Sequence, residues 1–90
     1  RACDDKTVEE MRALILSHQN VLSIDVLRTR LFGDKIYVDV EIGVDGSISL
    51  SESHDIAHSV HDALESRFPH IKHCMIHVNP ENKEAEIHPF

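Results

Sequence analysis

Residues 35 to 44 carry the clearest pattern in the chain: Ile36, Val38, Val40, Ile42 and Val44 alternate with Lys35, Tyr37, Asp39 and Glu41. A period of two predicts a strand with one apolar and one polar face. Residues 21 to 32 before it are rich in β-branched and aliphatic side chains and predict a second strand, joined through the turn Gly33-Asp34. Residues 71 to 79 alternate again, with Cys74, Ile76 and Val78 against His73, Met75, His77 and Asn79. Two segments keep helical spacing instead. Thr7-Val-Glu-Glu10 reads as a capping box, and Val8, Met11, Leu14 and Ile15 follow it, predicting a helix over residues 7 to 17. Ser49-Leu-Ser-Glu52 reads as a second box, opening a helix that runs to about residue 68, where Pro69 ends it.

The predicted order is α-β-β-α-β, a small α+β two-layer sandwich with both helices on one face of a three-stranded sheet. The other face would then carry Tyr37, Asp39 and Glu41 with His73, Met75 and His77, a natural surface for a dimer. Asp25 is expected on the first strand with Ser23, Leu27 and Thr29 on its side. The segment Gly43 to Ser49 is expected as a loop, and the chain after Pro80 as a polar, frayed tail.

Ninety residues make a single domain, near the small end of what one core stabilises alone, so a partner subunit or a metal is a reasonable support. A formal net charge of −7 argues against nucleic acid or anionic membrane as partners and suits cations. Cys3 and Cys74 form no CxxC and read as reduced thiols. No apolar run approaches the roughly 20 residues that span a bilayer. The opening RACDD has no initiating methionine, and the chain is expected to be part of something longer.

The candidate chemistry is metal binding. Of eight histidines, His54, His58 and His61 fall at i, i+4 and i+7 on one stripe of the second helix, with Glu65 continuing it. Ile56, Val60, Ala63, Leu64 and Arg67 lie roughly opposite. Imidazole is the commonest protein ligand for transition metals. His54 and His58 can chelate one ion, while His61 reads better as part of a solvated face. Asp39 and His77 project from polar sides of strands, and Asp25 lies on the first strand. Carboxylate and imidazole donors of this kind suit Zn²⁺, Mn²⁺ or Fe²⁺. There is no GxSxG, P-loop, GxGxxG or HExxH, so no enzyme class is indicated.

Three strings, VLSIDVLRTRLFGDKIYVDVEIGVD, SLSESHDIAHSVHDALESRFP and MIHVNP, taken in that order, resemble the cytoplasmic C-terminal domain of cation diffusion facilitator transporters. The resemblance covers residues 5 to 80. It implies a ferredoxin-like, metallochaperone-like α-β-β-α-β fold on the cytoplasmic face of a membrane. It also implies a V-shaped homodimer beneath a transmembrane domain of the same chain, whose arms close when divalent metal binds. Residues 1 to 6 would then be the linker from that membrane domain, and 81 to 90 a tail. Matched by position, the implied ligands are His54, His77 and Asp39, with Asp25 where many zinc members carry histidine and Asn79 where many carry an acid. Aspartate at 25 and 39 makes the site richer in oxygen and favours Mn²⁺ or Fe²⁺ relative to a zinc specialist. The function so implied is a dimerisation and metal-sensing domain of a cation exporter, with zinc the readiest ion in vitro. The alternatives are a dimerisation module with no functional metal site, or a stand-alone ligand sensor of the same fold.

Overall fold

The computed structural model describes residues 1–81. The chain runs α1 (Asp5–Leu16), β1 (Ser23–Phe32), β2 (Lys35–Asp45), α2 (Leu50–Arg67) and β3 (Ile71–Glu81). The order is the one read from the sequence. The α+β sandwich with a three-stranded sheet is therefore the observed fold.

Helix α1 begins earlier than the Thr7 box suggests. Asp4 is the N-cap, and its carboxylate accepts the Thr7 backbone N–H at 2.7 Å. Aspartate caps at least as well as threonine, and its charge also faces the positive end of the helix. Thr7 is therefore drawn inside the first turn. One turn apart on the inner side, Met11 and Ile15 are fully buried. Helix α2 does begin at its anticipated cap: Ser49 Oγ accepts the Glu52 N–H at 3.0 Å, and the Glu52 carboxylate lies 3.2 Å from that hydroxyl. Its inner stripe is Ile56, Val60 and Leu64, whereas Arg67 is exposed at the last turn, where a cation suits the helix dipole.

Strands β1 and β2 form an antiparallel hairpin closed by Gly33-Asp34, with Phe32 opposite Lys35. Gly33 has φ of 61°, which suits a two-residue turn with glycine at its first central position. Strand β3 lies parallel to β2 on its other side, and α2 supplies the crossover that a parallel pair needs. The central strand β2 buries Val38, Val40, Ile42 and Val44 completely or nearly so against the two helices. Flanking core contacts come from Ile24 and Leu27 on β1 and from Cys74, Ile76 and Val78 on β3.

Two boundaries move outward. Strand β2 continues to Asp45 and β3 to Glu81, with Val44 paired to Pro80 and Asp45 to Glu81, so the loop shrinks to residues 46–49. Pro80 is tolerated because β3 is an edge strand, with one side free of any ladder partner among the described residues. Gly46 N–H then donates to the Glu81 carbonyl at 2.8 Å and seals that end. At the amino end, the Leu31 N–H donates to the Arg1 carbonyl and the Cys3 N–H to Thr29 Oγ1, so residues 1–3 are tied to β1 before α1 starts.

The candidate metal-ligating face of the sheet

The face of the sheet turned away from the helices carries the candidate chemistry, and the strand register orders it in rungs. From the hairpin end these are Arg30–Tyr37–His73, then Arg28–Asp39–Met75, then Val26–Glu41–His77, then Ser23–Gly43–Asn79. The face anticipated from alternation is therefore present, with Tyr37, Asp39, His73, Met75 and His77 all exposed.

Asp25 reaches this face by a route that alternation misses. The β1–β2 register slips between Ile24 and Val26, a bulge that inserts one extra residue. Ile24 and Leu27, three apart, both face the core, and Thr29 turns inward to meet Cys3. Asp25 therefore shares a side with Ser23 but not with Leu27 and Thr29, contrary to expectation.

The bulge builds a polar corner. Asn79 Nδ2 donates to Asp25 Oδ2 at 2.9 Å and to Glu41 Oε1 at 3.1 Å. Ser23 Oγ lies 2.6 Å from Glu81 Oε2 and 2.9 Å from Asp25 Oδ1, so one hydroxyl proton serves two carboxylates. Three carboxylates thus share two neutral donor side chains. Glu41 and Glu81 were missed as members. Glu41 is legible from the alternation that places Asp39, but the chain after Pro80 reads as a tail, which hides Glu81. Gly43 is part of the corner's shape, since a Cβ there would lie 2.8 Å from Glu81 Cδ.

Of the sequence candidates, the structure joins Asp25 and Asn79 by a hydrogen bond and places His77 on the neighbouring rung beside Glu41. Asp39 stands one rung further, beside Met75 and Arg28. His54 and His58 lie elsewhere. They line a groove of about 330 Å³ between α2 and the inner side of β3, with His61, Leu50, Ile76 and Val78. His54 and His77 thus belong to different layers of the chain. His88 falls outside the described residues.

Among the described residues, no group of three or more His, Cys, Asp or Glu side chains could hold a metal ion. The donors are oxygens and imidazoles, a fit for hard to borderline divalent ions, but a single chain offers them dispersed. The nearest thiol is unsuited to ligation: burial, and then the charges of Glu65 and Asp39, push Cys74 up to about 11. No described helix is long and apolar enough to cross a membrane.

Comparisons with known proteins agree with this geometry. The family described as cation efflux protein, cytoplasmic domain, matches residues 3–81. The manganese efflux system protein MneP of Bacillus subtilis (strain 168) is 30% identical over 84 residues, which is 93% of this chain and 28% of MneP. Metal tolerance protein 7 of Oryza sativa subsp. japonica is 34% identical over 76 residues, 78% of this chain and 19% of that protein. The chain thus spans less than a third of either relative. Among solved structures, the MamM CTD superposes with a TM-score of 0.79 at 22% identity, covering 87% of this chain and all of that one. A cadmium form and a nickel form of MamM CTD variants each superpose with a TM-score of 0.78, also at 22% identity, covering 86% of this chain and 96% and 99% of theirs. The architecture, the oxygen-rich face and the match across residues 3–81 lead to one assignment: the chain belongs to the family of cytoplasmic domains of cation efflux proteins.

Proposed function

We propose that this domain is the metal-responsive dimerisation arm of a divalent-cation exporter, attached in the whole protein to a membrane domain. The observation that carries the proposal is the mismatch on the open face. Donors from Asp25, Asp39, Glu41, His77 and Asn79 are displayed, yet among the described residues no three His, Cys, Asp or Glu side chains of one chain converge on a metal position. A second copy facing the first would bring another set of the same donors into reach and complete a coordination shell between the arms. Its work is then differential binding, in which metal favours the closed pair over the open one. Tuning transport in this way needs coupling on the order of 1–3 kcal/mol.

The carboxylates of each copy repel those of the other until a cation neutralises them, which sets the apo arms apart. Oxygen donors at 25 and 39 make Mn²⁺ and Fe²⁺ suitable cargo classes, although Zn²⁺ outcompetes Mn²⁺ at most mixed sites in vitro. The 30% identity to a protein named for manganese efflux supports that class. The metal-loaded forms of MamM CTD variants support binding at this fold.

A second reading has its own observation. The open face also exposes Phe32, Tyr37 and Met75, at 56%, 37% and 42%, and Tyr37 stacks on His73 with ring centroids 5.7 Å apart. Such a patch can hold two copies together without metal. Calorimetry and sedimentation of the purified domain with Mn²⁺, Fe²⁺ and Zn²⁺ separate the two. Saturable binding that tightens the pair supports the metal-responsive arm. A dimer that neither binds metal nor changes would support the constitutive module.

A further inference from the structure

The open face is divided by charge. Its far half gathers Asp25, Glu41 and Glu81 around Asn79 and Ser23, whereas the half at the hairpin end is aromatic and basic. Phe32 meets Tyr37 edge-on with ring centroids 4.9 Å apart, and Tyr37 stacks on His73 at 5.7 Å with planes inclined by 28°. All three rings are exposed. Arg30 stands opposite Tyr37 in the ladder and Lys35 opposite Phe32, with Arg28 at the next alternate position of β1. These three cations are exposed too, and none has an ion pair or a side-chain hydrogen bond among the described residues. In a chain with a net charge of −7, a cluster of uncommitted cations around uncovered rings calls for an anionic, ring-bearing occupant.

A cavity of about 470 Å³ opens beside the same arginines, against Arg1, Cys3, Asp5, Leu27, Arg28 and Arg30, where residues 1–3 are tied to β1. The guanidiniums therefore border a ring platform on one side and a hollow on the other. Alternate residues of a strand are about 7 Å apart, so Arg28 and Arg30 lie within one or two such steps of the Tyr37 ring. A planar base carrying a phosphate has this layout. An aromatic face stacks a base whatever its edge, worth about 1–3 kcal/mol, and the guanidinium fork matches a phosphate.

We infer that the hairpin end of the open face is a mononucleotide site, with the base stacked on Tyr37 and the phosphate held by Arg28 and Arg30. The charges set the size of the ligand. Arg1, Arg28, Arg30 and Lys35 share this region with Asp5 in the cavity wall, Asp34 in the turn and Asp39 opposite Arg28, a balance suited to one phosphate. A polynucleotide or an anionic membrane would also have to lie across the acidic half of the face, which repels it. Nucleotide would compete with any pairing of two copies through Phe32 and Tyr37. Metal-driven closure through Asp25, Glu41 and His77 is not required for it.

The test is titration of the metal-free 90-residue chain with adenosine 5′-monophosphate, in parallel with adenosine and with inorganic phosphate. Tyr37 is the one tyrosine in the chain, so tyrosine ring-proton resonances report this platform alone. The nucleotide should shift them saturably, with adenosine and phosphate each about tenfold weaker or more. In calorimetry, Tyr37→Ala should weaken nucleotide binding about tenfold, equivalent to about 1.4 kcal/mol, and Tyr37→Phe should stay within about twofold of the parent because the ring face is kept. Arg30→Gln should weaken it by a similar factor, while Arg12→Gln, on α1 and paired with Glu9, should leave it unchanged. None of these side chains belongs to the buried core, so the variants should remain folded. Nucleotide binding no tighter than phosphate, unaffected by Tyr37→Ala, or weakened equally by Arg12→Gln would overturn the site. Tyr37-dependent pelleting with vesicles of phosphatidylserine and phosphatidylcholine that the nucleotide does not displace would also overturn it, in favour of a membrane surface. Failure of Mn²⁺ to compact the domain would count against the proposed function alone, because the nucleotide titration contains no metal.

Discussion

At the scale of single residues, the open face gives specific expectations. Asp39→His replaces an oxygen donor by imidazole and should move the ion preference toward Zn²⁺ over Mn²⁺ by about tenfold; competition calorimetry reads the ranking, and an unchanged ranking removes Asp39 from the ligands. Gly43→Ala should drive the Glu81 carboxylate away from Ser23, because the added carbon would lie 2.8 Å from Glu81 Cδ. The expected loss is about 1 kcal/mol in chemical denaturation, and an equally stable variant would mean that the corner adjusts freely. Cys74 is a different kind of case. With its thiol pushed up to about 11 by burial, it is protonated at neutral pH. Alkylation of Cys74 near pH 7.5 should be about a hundredfold slower than for an ordinary cysteine, followed by mass spectrometry of its peptide.

At the scale of elements, the caps carry the local stability. Ser49→Ala removes the acceptor for the Glu52 N–H and should cost about 1 kcal/mol in thermal or chemical unfolding. The Asp4 cap behaves with pH. The Thr7 N–H holds the Asp4 carboxyl below its ordinary value of 3.8, so the folded state keeps the ionised form longer than the unfolded chain does. That contribution is present above 3.8 and is lost as pH falls through the lower folded value. Asp4→Asn should flatten this acid-side dependence in far-ultraviolet circular dichroism. Elements were also where the sequence was most and least informative. The alternation of Ile36 to Val44 marked β2 and its faces because one side had to be apolar along its whole length. The bulge at Asp25 is not legible, since Leu22, Ile24 and Val26 set one phase and Leu27 the other, and only pairing with β2 shows where the register slips. Thr7 looked like a cap because local pattern cannot rank it against Asp4. The chain after Pro80 reads as a tail because a sequence does not announce that its strand lies at an edge, where proline is tolerated.

At the scale of the whole molecule, the layers divide the chemistry. The helices close one side of the sheet with aliphatic packing, and the other side displays carboxylates, imidazoles and an aromatic patch to whatever faces it. Spacing along α2 gave the His54–His58 pair directly. It did not reveal that His54 and His77 lie on different layers, because that depends on which side of β3 the helix covers. On the proposed reading, a domain with a net charge of −7 would gain from a second copy in two ways, through the apolar patch and through shared cations. Salt therefore has an expected direction: raising ionic strength should weaken carboxylate repulsion between apo arms and narrow the difference that metal makes. The most direct test of the central claim is small-angle scattering of the purified domain as Mn²⁺ is added at constant ionic strength. A dimer is expected whose radius of gyration falls to a plateau, with the fall lost in His77→Ala and Asp39→Ala. A dimer whose scattering curve is unchanged at saturating metal would contradict it.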